Sequence, residues 1–513
     1  MNRRIFWALA AVVLISIFTG CSGSEGSKDA GPDAALPDAS VSDAGPTDVF
    51  TPPDSGHFAP LSCPDVKGTD KNLRQKAEYF DRIATEWHTP AGQNLFFNVW
   101  LKDDLKTFDK VGMSDNVGLW SSMYAASQAY RYAATGSGEA LENLRRIIRG
   151  EHNMMKITGV PGLFTRVYIN PALPGFPTAE SLKAMYPDCD LKVAHCKRFN
   201  EVTEGEFAGL WFKNDVSKDE YSGHMFTMAV VWELIADGEI RGMVRDIALQ
   251  VGDHLIDNQL RITDIDGVVT TFGKMYALSF EDYPGFNAVL SLSWLRLAAT
   301  VGGGRYEDFY KNCLLQKRGK RQCIKDEDPA PYTDYFDAIG LDGECQTNWN
   351  NHNMAQLSMY HLIRNETDPA QKTKYRAAFR DNMWAPDDPF PMRDQKKTLY
   401  TMFYLVNRDP ADQWPEASAR DAICTMKIFP ETKEHKAVDT VSKYQSKCLA
   451  RGGDPMADVV IPIDEVDMDN FLWTGNPYEL EQAPAEPKNV ESPEDYLLAY
   501  WMGRYFGFIS EDM

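Results

Sequence analysis

Beyond one stretch near its start, the chain has no long apolar run. It is also short of positive charge: 53 Lys and Arg stand against 74 Asp and Glu, a formal net charge of -21 over 513 residues. A basic patch is the electrostatic footprint of nucleic-acid binding, so this balance argues against a nucleic-acid partner. It says little about a substrate, because a pocket can oppose the global sign locally. No Cys-x-x-Cys pair occurs among the nine cysteines, which makes zinc a weak reading; no metal and no cofactor is expected. Large apolar residues are almost missing from 22–56, where segments such as DAGPDAALPDAS are built of Gly, Ser, Ala, Asp and Pro. Such a segment cannot bury enough surface to offset its ordering entropy, and it reads as a flexible tether.

What is present at the start reads as an address. Asn2-Arg3-Arg4 forms a charged n-region and 5–18 an apolar run too short to span a bilayer, the pattern of a signal peptide over 1–20. The run ends in Phe18-Thr19-Gly20-Cys21, which resembles the lipobox of bacterial lipoproteins. That resemblance implies a diacylated Cys21 as the mature N-terminus, and so attachment to a membrane of the bacterial cell envelope. The expected organisation is a signal peptide, a tether over 21–57 and a single folded body over 58–513.

Eight cysteines remain once Cys21 is set aside, and an even count in an exported protein suggests disulfides. Cys189 with Cys196, Cys313 with Cys323, and Cys424 with Cys448 are plausible local loops. Cys63 with Cys345 would then tie the N-terminal segment to the body.

Helical periodicity dominates the body. It predicts helices near 72–88, 116–135, 139–157, 218–236, 239–258, 286–301, 304–316, 350–365, 369–384, 395–407, 414–427 and 494–506. One β-hairpin interrupts the pattern, with 260–263 and 268–272 flanking Asp264-Ile265-Asp266-Gly267. The helices alternate between apolar all round, hence buried, and charged on a wide face, hence peripheral. Links from buried to peripheral helices are short and links back are long. Short links make antiparallel neighbours. The expectation is an all-α fold, an (α/α)6 toroid of helical hairpins, with every long loop gathered at one mouth where the inner helices begin.

Functional groups tend to sit on loops carried by such a scaffold. The densest stretch is 211–224, WFKNDVSKDEYSGH. There Ser217 and Glu220 fit a capping box, while Asp215, Asp219 and His224 are candidate catalytic groups. Asp115, at the start of the first inner helix, is either its cap or a carboxylate aimed into the ring. Trp120, Trp211 and Trp349 suit sugar platforms, and Asn351, His352 and Tyr283 stand at other inner-helix starts. Arg166, on the long loop after residue 158, suits a carboxylate or sulfate, or a structural acid. The Asp-x-Ser-x-Asp of 215–219 lacks the Gly and distal Glu of a calcium loop.

The segments DNVGLWSSMYAASQAYRYAATG, DVSKDEYSGH, DHLIDN and DYLLAYWMGRYFGFI resemble a group of uncharacterised bacterial exported proteins. The architecture resembles the six-hairpin glycosidase-like superfamily, over about residues 70–510. That likeness implies glycoside hydrolase chemistry with two carboxylates flanking a glycosidic bond, and a carbohydrate ligand. No established catalytic motif of those enzymes maps onto this chain, so function does not follow from the fold. Two alternatives stand beside it: a lyase acting on uronic-acid polymers, and a lipoprotein that binds glycans or envelope proteins without catalysis.

Overall fold

A computed structural model describes residues 58–316, 323–324, 330–339, 345, 347–385, 390–450, 452–469 and 471–513. The signal peptide, Cys21 and the tether lie outside the described residues. The described residues all belong to one compact unit.

Twelve of the α-helices among the described residues form a double ring, and a short one at Ala179–Ala184 lies in a connecting loop. The twelve are α1 (Leu73–Ile83), α2 (Val117–Thr135), α3 (Gly138–Lys156), α4 (Lys218–Leu234), α5 (Gly238–Asp257), α6 (Pro284–Gly302), α7 (Gly304–Phe309), α8 (Trp349–Asn365), α9 (Pro369–Phe379), α10 (Thr398–Asn407), α11 (Glu416–Ile428) and α12 (Glu494–Phe506). The even-numbered helices are inner. α2 packs against α4 and α12, α8 against α4, α6 and α10, and α10 against α12, which closes the ring. Each outer helix lies on an inner one: α1 on α12, α3 on α2, α5 on α4 and α6, α7 on α6, α9 on α8, and α11 on α10. This is the (α/α)6 arrangement.

The sequence explains the layering. In α6 nearly every position from Gly285 to Ala299 is buried, so no polar face is left for solvent. In α3 the buried positions, among them Leu144, Ile147, Ile148, Glu151, Met154 and Met155, recur at helical spacing and leave an outer charged face. Each buried large apolar side chain contributes about 1.5–3 kcal/mol, so the ring supplies its own core.

Inner-to-outer turns are tight. Gly136 ends α2 in the left-handed conformation at φ 68, and Ser137 then caps α3 by accepting from the Ala140 amide. Asp368 caps α9 with Pro369 in its first turn, as the sequence predicts. Three predicted outer helices run past their α-helical ends into π-helical turns, Ala84–His88, Tyr310–Leu314 and Arg380–Trp384. Outer-to-inner links are long and carry short strands. The predicted hairpin is present as Arg261–Thr263 with Val269–Lys274. Four separate small sheets accompany it among the described residues, one of four strands, one of three and two of two. Strands of two to five residues inside polar loops leave too little alternation to be read from sequence.

The cysteine pairs are Cys63–Cys424, Cys189–Cys196, Cys313–Cys323 and Cys345–Cys448. The two short loops match expectation. The pairings Cys424 with Cys448 and Cys63 with Cys345 are corrected. Ring closure brings the N-terminal segment beside α11, where the Lys76 ammonium also caps the carbonyls of Met426, Lys427 and Phe429 at 3.3, 2.8 and 2.7 Å. Spatial closure, not sequence spacing, decides these pairs.

Candidate active site

A cavity of about 860 Å³ opens where α2, α8 and α10 begin. Asn116, Trp120, Asn350, Lys397, Phe471 and Glu479 are on its wall. The indole of Trp120 stacks on Phe471 with centroids 5.3 Å apart and an interplanar angle of 21°.

Asp219, in the first turn of α4, meets this wall through two amides. Asn116 Nδ2 donates to its carboxylate at 3.0 Å and Asn350 Nδ2 at 3.5 Å. Three inner-helix starts thus converge on one carboxylate. Asn116 Oδ1 in turn accepts from Arg166 at 3.5 Å. Arg166 is buried, and its other bonds go to the backbone carbonyls of Asp215 at 2.6 Å and Asp115 at 3.3 Å. Among the described residues, no carboxylate forms an ion pair with it.

Asp115 is not a helix cap. Its carboxylate is bonded by Lys197 at 2.5 Å and by Lys213. Partial burial works to raise its pKa, but the hydrogen bonds and charges of the two lysines outweigh burial and hold it near 2. Such a group is a fixed anion rather than a proton donor.

Asp215 takes the left-handed backbone conformation at φ 56. It is buried and spent on neighbouring loops: His195 Nε2 lies 3.0 Å away, the Thr271 amide 2.7 Å and the Thr271 hydroxyl 2.9 Å. His195 also meets Asp266 through Nδ1 at 2.9 Å. Burial opposes its protonation, yet the two carboxylates prevail and raise its pKa. The Cys189–Cys196 staple sits between these contacts, since His195 and Lys197 flank Cys196. A short disulfide loop is thereby fastened to the mouth at Asp215 and Asp115. His195, Asp215 and Asp264 are close enough together to hold a metal ion. Both ring nitrogens already face carboxylates, and Asp264 accepts from the Asn214 side chain and the Asp215 amide. The donors present satisfy this cluster.

His224 lies beneath the mouth and is fully buried. It stacks on Phe164 at 3.9 Å, with Nδ1 3.0 Å from the Ser122 hydroxyl and 3.2 Å from Glu151. Glu220 does not join Ser217 in a capping box. It accepts instead from the Leu119 amide of α2 at 2.6 Å, across the inner ring. Burial pushes both Glu151 and Glu220 up.

The remaining predicted residues are dispersed. Trp211 is buried in the middle strand of a small sheet, paired with Ile169 and Glu201. Tyr283 precedes α6 and meets Phe280 edge-on. Trp349 stacks on His352 at 5.1 Å and packs against Phe390 and Tyr478. Asn351 lies in the first turn of α8, where its amide N–H donates to Asn348. Of the predicted platforms, Trp120 lines the cavity.

Several residues of the site carry no sequence signal of their own. Asn116 and Asn350 sit beside residues the sequence does single out, Asp115 and Asn351. Glu479 comes from a long loop. It is half-buried, and no donor reaches its carboxyl group among the described residues. Burial and the nearby acids Glu481, Asp454 and Asp469 raise its pKa.

No protein-family model matches the chain. No curated protein matches it either. Among solved structures it is similar to an unsaturated glucuronyl hydrolase mutant from Streptococcus agalactiae, at 9% identity over 88% of this chain and 97% of the other, with a TM-score of 0.35. It is similar to a sugar epimerase from a ruminal bacterium, at 11% identity over 84% and 97%, with a TM-score of 0.39. An inactive α-1,6-mannanase, GH76A of Salegentibacter sp. HEL1_6 in complex with α-1,6-mannotetrose, matches at 11% identity over 70% and 98%, with a TM-score of 0.25. At these identities and scores the likeness carries no argument about reaction or residues.

Proposed function

We propose that the mouth of the ring binds carbohydrate and hydrolyses a glycosidic bond, with Asp219 as the central carboxylate. The observation that carries this is the convergence of Asn116 and Asn350 on Asp219 beside the stacked Trp120 and Phe471. Amides and carboxylates suit sugar hydroxyls, and a flat indole suits a sugar ring face. Hydrolysis also needs a carboxyl group that keeps its proton. We assign that role to Glu479, which lines the cavity with Asn116 and Asn350 and whose pKa is raised by burial and by the neighbouring acids. Asp115, paired to two lysines, holds local charge rather than exchanging protons.

Two rival readings each have one observation in their favour. Arg166 is a buried guanidinium without a carboxylate in ion-pair reach among the described residues, which favours an acidic sugar and hence the lyase. The lysine pairing of Asp115 favours a binding protein with no matched acid and base. Incubation with a panel of neutral and uronic-acid polysaccharides separates the three. Hydrolysis releases reducing ends without ultraviolet absorbance, a lyase adds the absorbance of a new double bond, and a binding protein retains glycan without product.

The address belongs to the same proposal: a lipid anchor on Cys21 holds the protein to a membrane of the bacterial envelope. Among the described residues, no helix is long and apolar enough to cross a membrane. Cys21→Ser is expected to move the protein from the membrane fraction to the soluble one. Its retention in membranes would count against the anchor.

A further inference from the structure

Desolvation lowers the amine pKa of Lys76, Lys218 and Lys397, and the three differ in how their amines are used. An ammonium group offers three N–H donors. Lys76 places all three on backbone carbonyls. Lys218 donates to the Lys274 carbonyl at 3.0 Å and to Asn287 at 2.9 Å. Among the described residues the ammonium of Lys397, at the start of α10, makes one hydrogen bond, to the Gly475 carbonyl at 2.8 Å. Two ring faces also lie near it, Trp349 at 4.9 Å and Tyr400 at 5.6 Å from the centroids. Those faces attract a cation, but they replace neither the missing acceptors nor a counter-ion. Among the described residues, no carboxylate pairs with Lys397. It is 3% exposed, and both Lys397 and Gly475 are on the cavity wall.

We infer that Lys397 is a nucleophilic amine that condenses reversibly with the carbonyl group of a ligand in the cavity, the ligand class being small aldehydes and open-chain reducing sugars. The nitrogen lone pair adds to the carbonyl carbon, and the carbonyl oxygen takes up a proton to give a carbinolamine. Loss of water, with the amine proton released to solvent, forms the C=N bond. Hydrolysis returns both partners, so no oxidant or reductant is consumed. Desolvation supplies the neutral amine this requires: burial lowers the Lys397 pKa to about 7, against 8 or so for Lys76 and Lys218. At neutral pH its unprotonated fraction is then on the order of a thousandfold that of an exposed lysine. The preference for sugars rests on the carbohydrate reading above; the reactive amine does not.

The test is reductive labelling of the folded protein with glyceraldehyde and cyanoborohydride at pH 7.5, followed by peptide mass mapping. Lys397 is expected to be modified at least about tenfold faster than exposed lysines such as Lys67 and Lys102, the margin below a thousandfold allowing for entry into the cavity. The label is expected to disappear from that peptide in Lys397→Arg. Asp219→Asn is expected to label as the wild type does, so loss of turnover and loss of amine reactivity are read separately. Labelling of Lys397 no faster than of Lys67 and Lys102 in the wild-type protein overturns the inference, and this comparison needs no variant to fold.

Discussion

Asn116 Nδ2 donates to the carboxylate of Asp219 at 3.0 Å across a separation of 103 residues. The bond links the starts of α2 and α4, and Asn350 adds the start of α8 to the same carboxylate. The starts of three inner helices are therefore tied together at one carboxylate, beside the cavity that Asn116 and Asn350 line. A hydrogen bond to a charged group contributes about 1.5–3 kcal/mol. Asn116→Ala and Asn350→Ala are each expected to lower kcat/KM about tenfold or more, a loss of about 1.4 kcal/mol or more in transition-state stabilisation. Steady-state kinetics on the glycan identified by the panel checks this.

Most of the fold is legible in the sequence because two signals reinforce each other. Helical period separates apolar helices such as α6 from amphipathic ones such as α3. Link length then orders them, since Asp237 and Gly238 leave room only for an antiparallel return. The site is less legible. Asp219 stands out as an acid at a helix start, but its partners lie over a hundred residues away. Glu220 fits a capping box by spacing, and only the packing of α4 against α2 shows it bonded to the Leu119 amide instead. His195 and Lys197 go unread because their roles depend on where the Cys189–Cys196 loop is fastened.

Gly118 marks how closely α2 and α4 approach. A Cβ there would stand 2.5 Å from Glu220 Oε2, 2.7 Å from Met154 Cε and 2.8 Å from His224 Nε2. Overpacking a closed site costs about 1–3 kcal/mol. Gly118→Ala is expected to lower the thermal midpoint, whereas Gly138→Ala, with open space around it, is not. Differential scanning calorimetry of both variants decides.

The Cys63–Cys424 bond joins residues 361 apart and fastens the N-terminal segment to α11. Peptide mapping without reduction is expected to recover Cys63 linked to Cys424 and Cys345 linked to Cys448. The double variant Cys63→Ser, Cys424→Ser is expected to lose about 2–4 kcal/mol of stability in denaturant unfolding.

His435 lies 3.2 Å from Glu491 through Nε2 and 2.8 Å from Asp467 through Nδ1. The bond to Glu491 outweighs burial, and with Asp467 it raises the His435 pKa to about 9. Because the folded value lies above the unfolded one of 6.5, its stabilisation is fully present below pH 6.5 and is lost as pH rises through about 9. Thermal midpoints of the wild type are expected to fall over that window, and His435→Gln is expected to flatten the fall. An equal fall in the variant would place the cause elsewhere.

The central claim is that Asp219 performs the chemistry of the mouth, and Asp219→Asn tests it most directly. The substitution keeps the size of the side chain and removes its charge. Turnover of the glycan cleaved by the wild type is expected to drop about 10²–10⁴-fold, with the circular dichroism spectrum and thermal midpoint little changed. Full turnover by a folded Asp219→Asn protein would contradict the account.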